Sequence, residues 1–279
     1  MKKLSIITIN YNNATGLKKT LDSVAAQTCN DFEHIIVDGA STDGSVDVIR
    51  EYEQKVTSNL SHLTSRLIWL SEPDTGIYNA MNKGVRLAKG EYTLMLNSGD
   101  YLVNENVIMM ILPFLDGTDI IQGNILSMID GKTIINRGYG KSDISFIDAI
   151  GGHFLHQASF CKRALYDKYG YFDESYRING DTVFYAKCLA LGNATFRYMD
   201  GNIAFFDTTG ISMDSEGKWS RLRKEEDERY AQLFSCRMWN LHKYEEKKIK
   251  LYDKLHAHRW SWNLTMMIAH LCNWLYRDR

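Results

Sequence analysis

Four short apolar runs, at residues 4–9, 33–37, 67–70 and 92–96, are rich in aliphatic and β-branched side chains, and a segment of helical period separates each from the next. A single strand of this kind cannot bury both of its faces. The runs must therefore share one sheet, and the strand–helix alternation makes that sheet parallel, with right-handed crossovers. The first helix repeats Leu17, Leu21 and Val24. The second, after Ser45, repeats Val46, Ile49 and Tyr52, and the third spans 77–88 and stops at Gly90. The polar stretch 57–66 reads as a loop.

Past residue 100 the alternation loosens. A strand is expected around Ile120 and Ile121, a hairpin over 125–136 turning at Asp130-Gly131, and a helix over 181–191. Beyond Ser212 the composition shifts to charged and aromatic helix. The organisation read from the sequence is thus an α/β domain over 1–212 and a helical C-terminal extension over 213–279. A length of 279 residues, 44% of them hydrophobic, supplies core enough for one such domain and an appendage.

Composition removes several classes of function. The net charge is -1 and the isoelectric point about 6.7, so nothing global points to nucleic acid. Five scattered cysteines without a CxxC indicate neither a zinc knuckle nor a disulfide framework, and the expected home is a reducing cytoplasm. The basic start and short apolar run at the N-terminus read as a strand, not a signal peptide, and no apolar stretch is long enough to span a bilayer.

Ligands of an open parallel sheet bind outside the carboxyl ends of its strands. All four runs end in polar residues: Thr8 to Tyr11, Asp38-Gly39, Glu72-Pro73-Asp74 and Asn97-Ser98-Gly99-Asp100. Any one of these could be an ordinary turn; four together read as a site. Neither G-x-G-x-x-G nor the Walker G-x-x-x-x-G-K-[ST] is present, which argues against a dehydrogenase and a P-loop NTPase.

The segments 5–12, 37–45 and 71–84, followed in order by Asn97-Ser98-Gly99-Asp100, His156-Gln157 and 170–181, resemble family 2 glycosyltransferases, over about residues 4–212. The resemblance implies the GT-A (nucleotide-diphospho-sugar transferase) fold: a mostly parallel central sheet flanked by helices. It implies transfer of a sugar, with inversion, from a nucleoside diphosphate sugar, UDP-linked, to a saccharide or lipid-linked saccharide acceptor in bacterial surface polysaccharide synthesis. Asp38 matches the carboxylate that accepts from the uracil N3–H, and Tyr11 would wall the base, with Thr8 and Asn10 alongside. Asp74 and Lys83 flank the nucleotide, with Lys83 a counter-charge for the diphosphate, and Asn97 and Ser98 continue the donor site. Asp43 reads better as a helix cap than as a ligand. His156 and Gln157 line the donor or acceptor pocket, and residues 208–212 resemble a mobile loop.

Two departures from the family pattern matter. The metal motif Asp-x-Asp falls on Asn97 and Gly99, which leaves Asp100 as the carboxylate for Mn²⁺ or Mg²⁺. The base position falls on Asp181, but the acidic residue that usually precedes it is Gly180.

From residue 237 to the end, nine Lys/Arg stand against four Asp/Glu, and Trp260, Trp262, Trp274 and Tyr276 flank an apolar run. A helix lying on an anionic membrane fits this tail, which would make the protein peripheral on the inner face of the cell membrane. A helix packing on the catalytic domain or on a second subunit fits it too. Two other readings of the whole chain stand beside the enzyme: a non-catalytic sugar-nucleotide-binding protein and a nucleotidyltransferase.

Overall fold

The computed structural model describes residues 3–58, 66–210, 217, 219–235, 238–240, 242–244, 246–247 and 250. The chain divides into two compact units, Met1–Tyr230 and Ala231–Arg279.

The first unit is built on one nine-stranded sheet. Strands β1 (Leu4–Asn10), β2 (Phe32–Asp38), β3 (Arg66–Ser71) and β4 (Tyr92–Met95) pair in parallel in the order β3-β2-β1-β4. Helices α1 (Ala14–Ala25), α2 (Ser45–Ser58) and α3 (Ile77–Leu87) make the crossovers. The chain leaves β1 toward β2 and β3, then returns to place β4 on the other side of β1. The point between β1 and β4, where the strand order reverses, is where a ligand crevice opens in such a sheet.

Strand alternation sets the two faces. Leu17 and Leu21 of α1 pack with Ile36, Ile49 and Tyr52 on one face. On the other, α3 approaches so closely that a Cβ on Gly84 would lie 2.3 Å from the Ile7 side chain. That contact explains a glycine inside a helix, where it costs about 1 kcal/mol relative to alanine. Two buried polar groups tie the layers. His34 bonds Thr8 and Tyr52, each at 2.9 Å, and the buried Glu33 carboxylate accepts from Ser5 Oγ and from the N–H groups of Lys89 and Gly90.

The second half of the sheet is mixed. Strand β5 (Tyr101–Leu102) precedes helix α4 (Val107–Ile111); β6 (Ile120–Ile129) and β7 (Lys132–Asn136) form the expected hairpin. Asp130 and Gly131 both take positive φ, 50° and 71°, as a two-residue Asp-Gly turn requires. After helix α5 (Phe146–Ile150), β8 (Ser159–Lys162) inserts antiparallel between β4 and β6. Helices α6 (Ala164–Tyr169) and α7 (Gly180–Leu189) follow. β9 (Phe196–Phe205) then runs parallel to β6, with register shifts around Gly123, and antiparallel to β5.

Helix α8 (Ser220–Ala231) falls almost wholly within the first unit, past the residue-212 boundary drawn from composition. Its buried Glu226 accepts from the backbone N–H of Arg177 (2.6 Å), Ile178 (2.9 Å) and Asn179 (2.9 Å), just ahead of α7. Within the second unit, the Phe234 and Trp239 rings stack at 6.2 Å, and Glu246 pairs with Lys243 and Lys250. Among the described residues no helix is long and apolar enough to cross a membrane. Trp260, Trp262, Trp274 and Tyr276, which carry the membrane expectation, lie outside the described residues.

Candidate active site

A cleft of about 450 Å³ opens at the β1/β4 switch point. Asn10, Tyr11, Asp74, Asn97, Ser98, Asp100, His156, Gln157 and Asp181, nine of the residues expected at the site, line it. They come from the ends of β1, β3 and β4, the short turn before β8 and the start of α7, so only the fold brings them together.

Tyr11 is 67% exposed, an aromatic face free to meet a planar base. Asn10 is 3% exposed, and its amide donates to Asp38 Oδ1 at 2.8 Å. A carboxylate can only accept, so the amide nitrogen must face Asp38. Asn10 Oδ1 is then left buried without a partner among the described residues.

Three expected residues do not line this cleft. Thr8 is buried against His34. Asp38 is 0% exposed, and its two oxygens already accept from Asn10, Ser41 N, Ser41 Oγ and Ser71 Oγ. Burial pushes its carboxyl up, but these donors outweigh burial and hold it below the usual range. Lys83 is turned to Glu72 (2.7 Å) and the carbonyl of Pro73 (2.8 Å). Among the described lining residues the single guanidinium or ammonium group belongs to Arg177, whose guanidinium lies over Gly76 and donates to the carbonyl of Thr75. Asp43 accepts from Ser45 N and Oγ at the start of α2 and from Ala14 N at the start of α1, the capping role expected of it.

Asp181 sits in the first turn of α7. Its Oδ2 meets His156 Nδ1 at 2.9 Å; its Oδ1 accepts from Thr182 N (2.8 Å) and shares the Tyr78 hydroxyl proton (3.1 Å) with the carbonyl of Ile178 (2.6 Å). Burial would raise the Asp181 carboxyl, but the His156 imidazole and these donors hold it below the usual range. Burial would lower His156, and Asp181 and Asp100 together raise it. Both shifts favour an ion pair. His156 Nε2 in turn lies 3.3 Å from Asn97 Nδ2.

The two glycines that depart from the family pattern have physical reasons. A Cβ on Gly180 would lie 2.7 Å from the ring of Tyr78, whose hydroxyl holds Asp181. Gly99, at φ +105°, leaves room for a carboxylate from β9's far end: its Cβ would lie 2.5 Å from Asp207 Oδ2. Asp100 is 4% exposed and its Oδ1 accepts from Asp207 N at 2.9 Å. Burial raises its carboxyl to about 7, which His156 and the Asp207 N–H offset only in part.

Asp100 and Asp207 both line the cleft, and their carboxylates are hard oxygen donors of the kind that Mg²⁺ or Mn²⁺ takes. Among the described residues no group of three or more His, Cys, Asp or Glu side chains could hold a metal alone. A cation here would complete its shell with ligand oxygens or water.

Tyr78, Arg177 and Asp207 also line the cleft, although none of them was expected at the site. Arg177 stands four residues before Asp181, within a segment already singled out. Tyr78 too stands in such a segment, 71–84, but its partner lies 103 residues away, and Asp207 carried no signal of its own, its partner being 107 residues away.

The parallel order β3-β2-β1-β4, continued by a mixed half-sheet and opening a crevice at its reversal, is the architecture of the GT-A fold. The chain belongs to Glycosyl transferase family 2, whose description matches residues 5–193. It is 31% identical over 209 residues to a PGL/p-HBAD biosynthesis glycosyltransferase of Mycobacterium bovis, covering 74% of this chain and 77% of the relative. Its fold is shared with S. aureus TarS 1–349 in complex with UDP-GlcNAc, with TM-score 0.62 and 21% identity, over 77% of this chain and 61% of that one. A second fold neighbour is the mannosyltransferase PcManGT from Pyrobaculum calidifontis in complex with GDP-Man and Mn²⁺, with TM-score 0.55 and 15% identity, over 99% of this chain and 88% of that one.

Proposed function

We propose that this glycosyltransferase moves a sugar from a UDP-sugar to a hydroxyl of a saccharide or lipid-linked saccharide, with inversion, during assembly of a cell-surface glycan. The observation that carries the reading is the Asp181–His156 pair at the seam of two cavities. A groove of about 550 Å³ shares His156, Gln157, Asp181 and Phe206 with the donor cleft and continues under the β6–β7 hairpin. The donor enters the first cavity and the acceptor the second. The anomeric carbon then lies between them, with Asp181 on the acceptor side and the diphosphate on the other, as in-line displacement with inversion requires.

In this reading the base stacks on Tyr11 and its imide N–H meets the acceptor end of the Asp38–Asn10 unit. Asp38 turns the Asn10 amide so that Oδ1 is left to accept. Arg177 serves as the fixed cation beside the diphosphate. Asp181 takes the proton from the attacking hydroxyl, while Tyr78, Thr182 and His156 hold its carboxylate in place. A divalent cation, when bound, supplies charge neutralisation for the leaving diphosphate.

The names of the relatives support the donor class: TarS is bound to UDP-GlcNAc and PcManGT to GDP-Man, both nucleoside diphosphate sugars. The M. bovis relative, named for PGL/p-HBAD biosynthesis, supports a surface-glycan role. A melting-temperature screen of UDP-, GDP- and dTDP-sugars with Mn²⁺ tests the donor, followed by nucleotide release with and without candidate acceptors. Stabilisation by UDP-sugars and acceptor-dependent UDP release are expected. Binding with no release under any acceptor would favour the non-catalytic sugar-nucleotide-binding reading.

A further inference from the structure

We infer that the β6–β7 hairpin is a lipid-contacting arm, whose tip enters the surface of an anionic bilayer. Nine large hydrophobic side chains are exposed among the described residues. Four of them fall within eight consecutive positions: Met128, Ile129, Ile134 and Ile135, each between 41% and 50% exposed. Exposed hydrophobics scattered singly are ordinary; four on one hairpin form a patch. The topology makes that patch an arm. β9 pairs with β6 as far as Leu126 and β8 as far as Gln122, so from Ser127 onward β6 has β7 as its only strand partner, and β7 has only β6.

Alternation sets Ile129 and Ile134 on one face of this ribbon and Met128 and Ile135 on the other. The groove that runs to Asp181 is lined by Ile129 and Ile134 but not by Met128. A molecule in that groove, or a second copy of the chain lying flat on the ribbon, covers one face and leaves the other in water. A bilayer surface surrounds a hairpin tip on both faces at once. The depth is that of the headgroups, where water still satisfies the open backbone edge of β7. Charge agrees with this occupant. Between residues 125 and 141 three cations, Lys132, Arg137 and Lys141, stand against Asp130 alone. Lys132 is exposed opposite Ile129 at the tip, and Arg137 at the root meets Asp200 only at 3.8 Å. Cations flanking an apolar tip suit anionic headgroups. Under the function proposed above, the groove then leads from the bilayer to Asp181; the inference itself rests on the hairpin and not on that reading.

The test is hydrogen exchange of the full chain, read peptide by peptide by mass spectrometry, with and without vesicles of phosphatidylglycerol and phosphatidylcholine, beside a flotation assay. Vesicles should slow exchange over residues 127–135 of wild type. In the variant carrying Met128→Thr, Ile129→Thr, Ile134→Thr and Ile135→Thr the slowing should vanish, and partition onto vesicles should fall about tenfold or more, the scale of withdrawing several apolar side chains from the interface. Threonine keeps strand propensity and the four side chains are exposed, so this variant should melt within a few degrees of wild type. Met128→Asp, a single change on the face turned from the groove, should weaken partition as well. Hairpin exchange that vesicles leave unchanged overturns the inference even if the chain floats, because another segment then holds the lipid. Equal partition of wild type and Met128→Asp overturns it too. Slowing that follows protein concentration without vesicles overturns it in favour of a second copy of the chain.

Discussion

Asp181 looks like an ordinary first-turn aspartate, and its neighbours are what distinguish it. A capping aspartate bonds its own backbone; this carboxylate is also held by Tyr78 and paired with His156. Asp181→Asn separates the two roles. The amide keeps the shape and caps a helix about as well, so melting temperature and donor affinity should hold. Turnover should fall about 10²–10⁴-fold, the scale of general-base loss. Steady-state kinetics beside donor binding by calorimetry checks it, and near-normal turnover would leave Asp181 a structural residue. The same scale shows what single residues could not say in sequence. Lys83 had the right charge for a diphosphate, but Glu72 and Pro73 hold it away from the cleft, while Arg177 reaches it.

At the scale of elements, the parallel strands, their crossover helices and the Asp-Gly hairpin were legible, because apolar period and turn chemistry are local. β8 and β9 were not. β8 is four residues long, and β9 contains Asp200-Gly201-Asn202, turn-type residues tolerated beside the register shift at Gly123. Nor could composition show that α8 reaches back to hold the segment before α7. Glu226→Gln puts one amide NH₂ against backbone donors that now meet a carboxylate. At least one buried N–H loses its partner, which costs about 1–3 kcal/mol. The variant should melt lower, and turnover should fall more than donor affinity, because the segment it holds leads into Asp181.

A second prediction at this scale concerns His34, which joins β2 to β1 and α2. Burial lowers its imidazole from 6.5 to about 3. The unfolded chain therefore takes up a proton below pH 6.5 that the folded chain refuses until about pH 3. This share of stability is complete above pH 6.5 and is lost as the pH falls toward 3. His156 and Asp100 are both raised, so they act in the opposite direction, and a variant must isolate the effect. Relative to His34→Gln, wild type should lose about 2 kcal/mol between pH 7.5 and pH 5, measured by urea unfolding at both values. Parallel pH profiles for the two proteins would show that His34 titrates normally.

Across the whole molecule, the cleft proposed for the donor faces polar strand ends, and the groove proposed for the acceptor faces an apolar hairpin. Alternation puts Ile125, Ser127 and Ile129 on one face of β6, with Ile134 opposite Ser127 on β7; Ile129 and Ile134 are exposed. Such a wall suits an acceptor that carries apolar groups beside its reacting hydroxyl. Ile134→Asp should leave the fold and the donor KM intact, since the side chain is already exposed. The KM for such an acceptor should rise about tenfold, the scale of part of an isoleucine's burial. Equal acceptor KM values for the two proteins would place the acceptor elsewhere.

The sequence by itself determined the parallel half of the sheet, the strand ends that open on the cleft and nine of the residues lining it. Each of these follows from a pattern within about a dozen neighbouring positions, or from motifs in a fixed order. Tertiary structure alone decided which charged groups meet. It turned Lys83 aside, brought Tyr78 to Asp181, set Glu226 under the segment before α7 and laid Asp207 where Gly99 has no side chain. Lys83 and Glu72 are near in sequence, but the other pairings join positions from about 50 to 107 residues apart, and a charge carries no local period to reveal its partner. They were settled when the strands took their places in the sheet and burial obliged each polar group to find one.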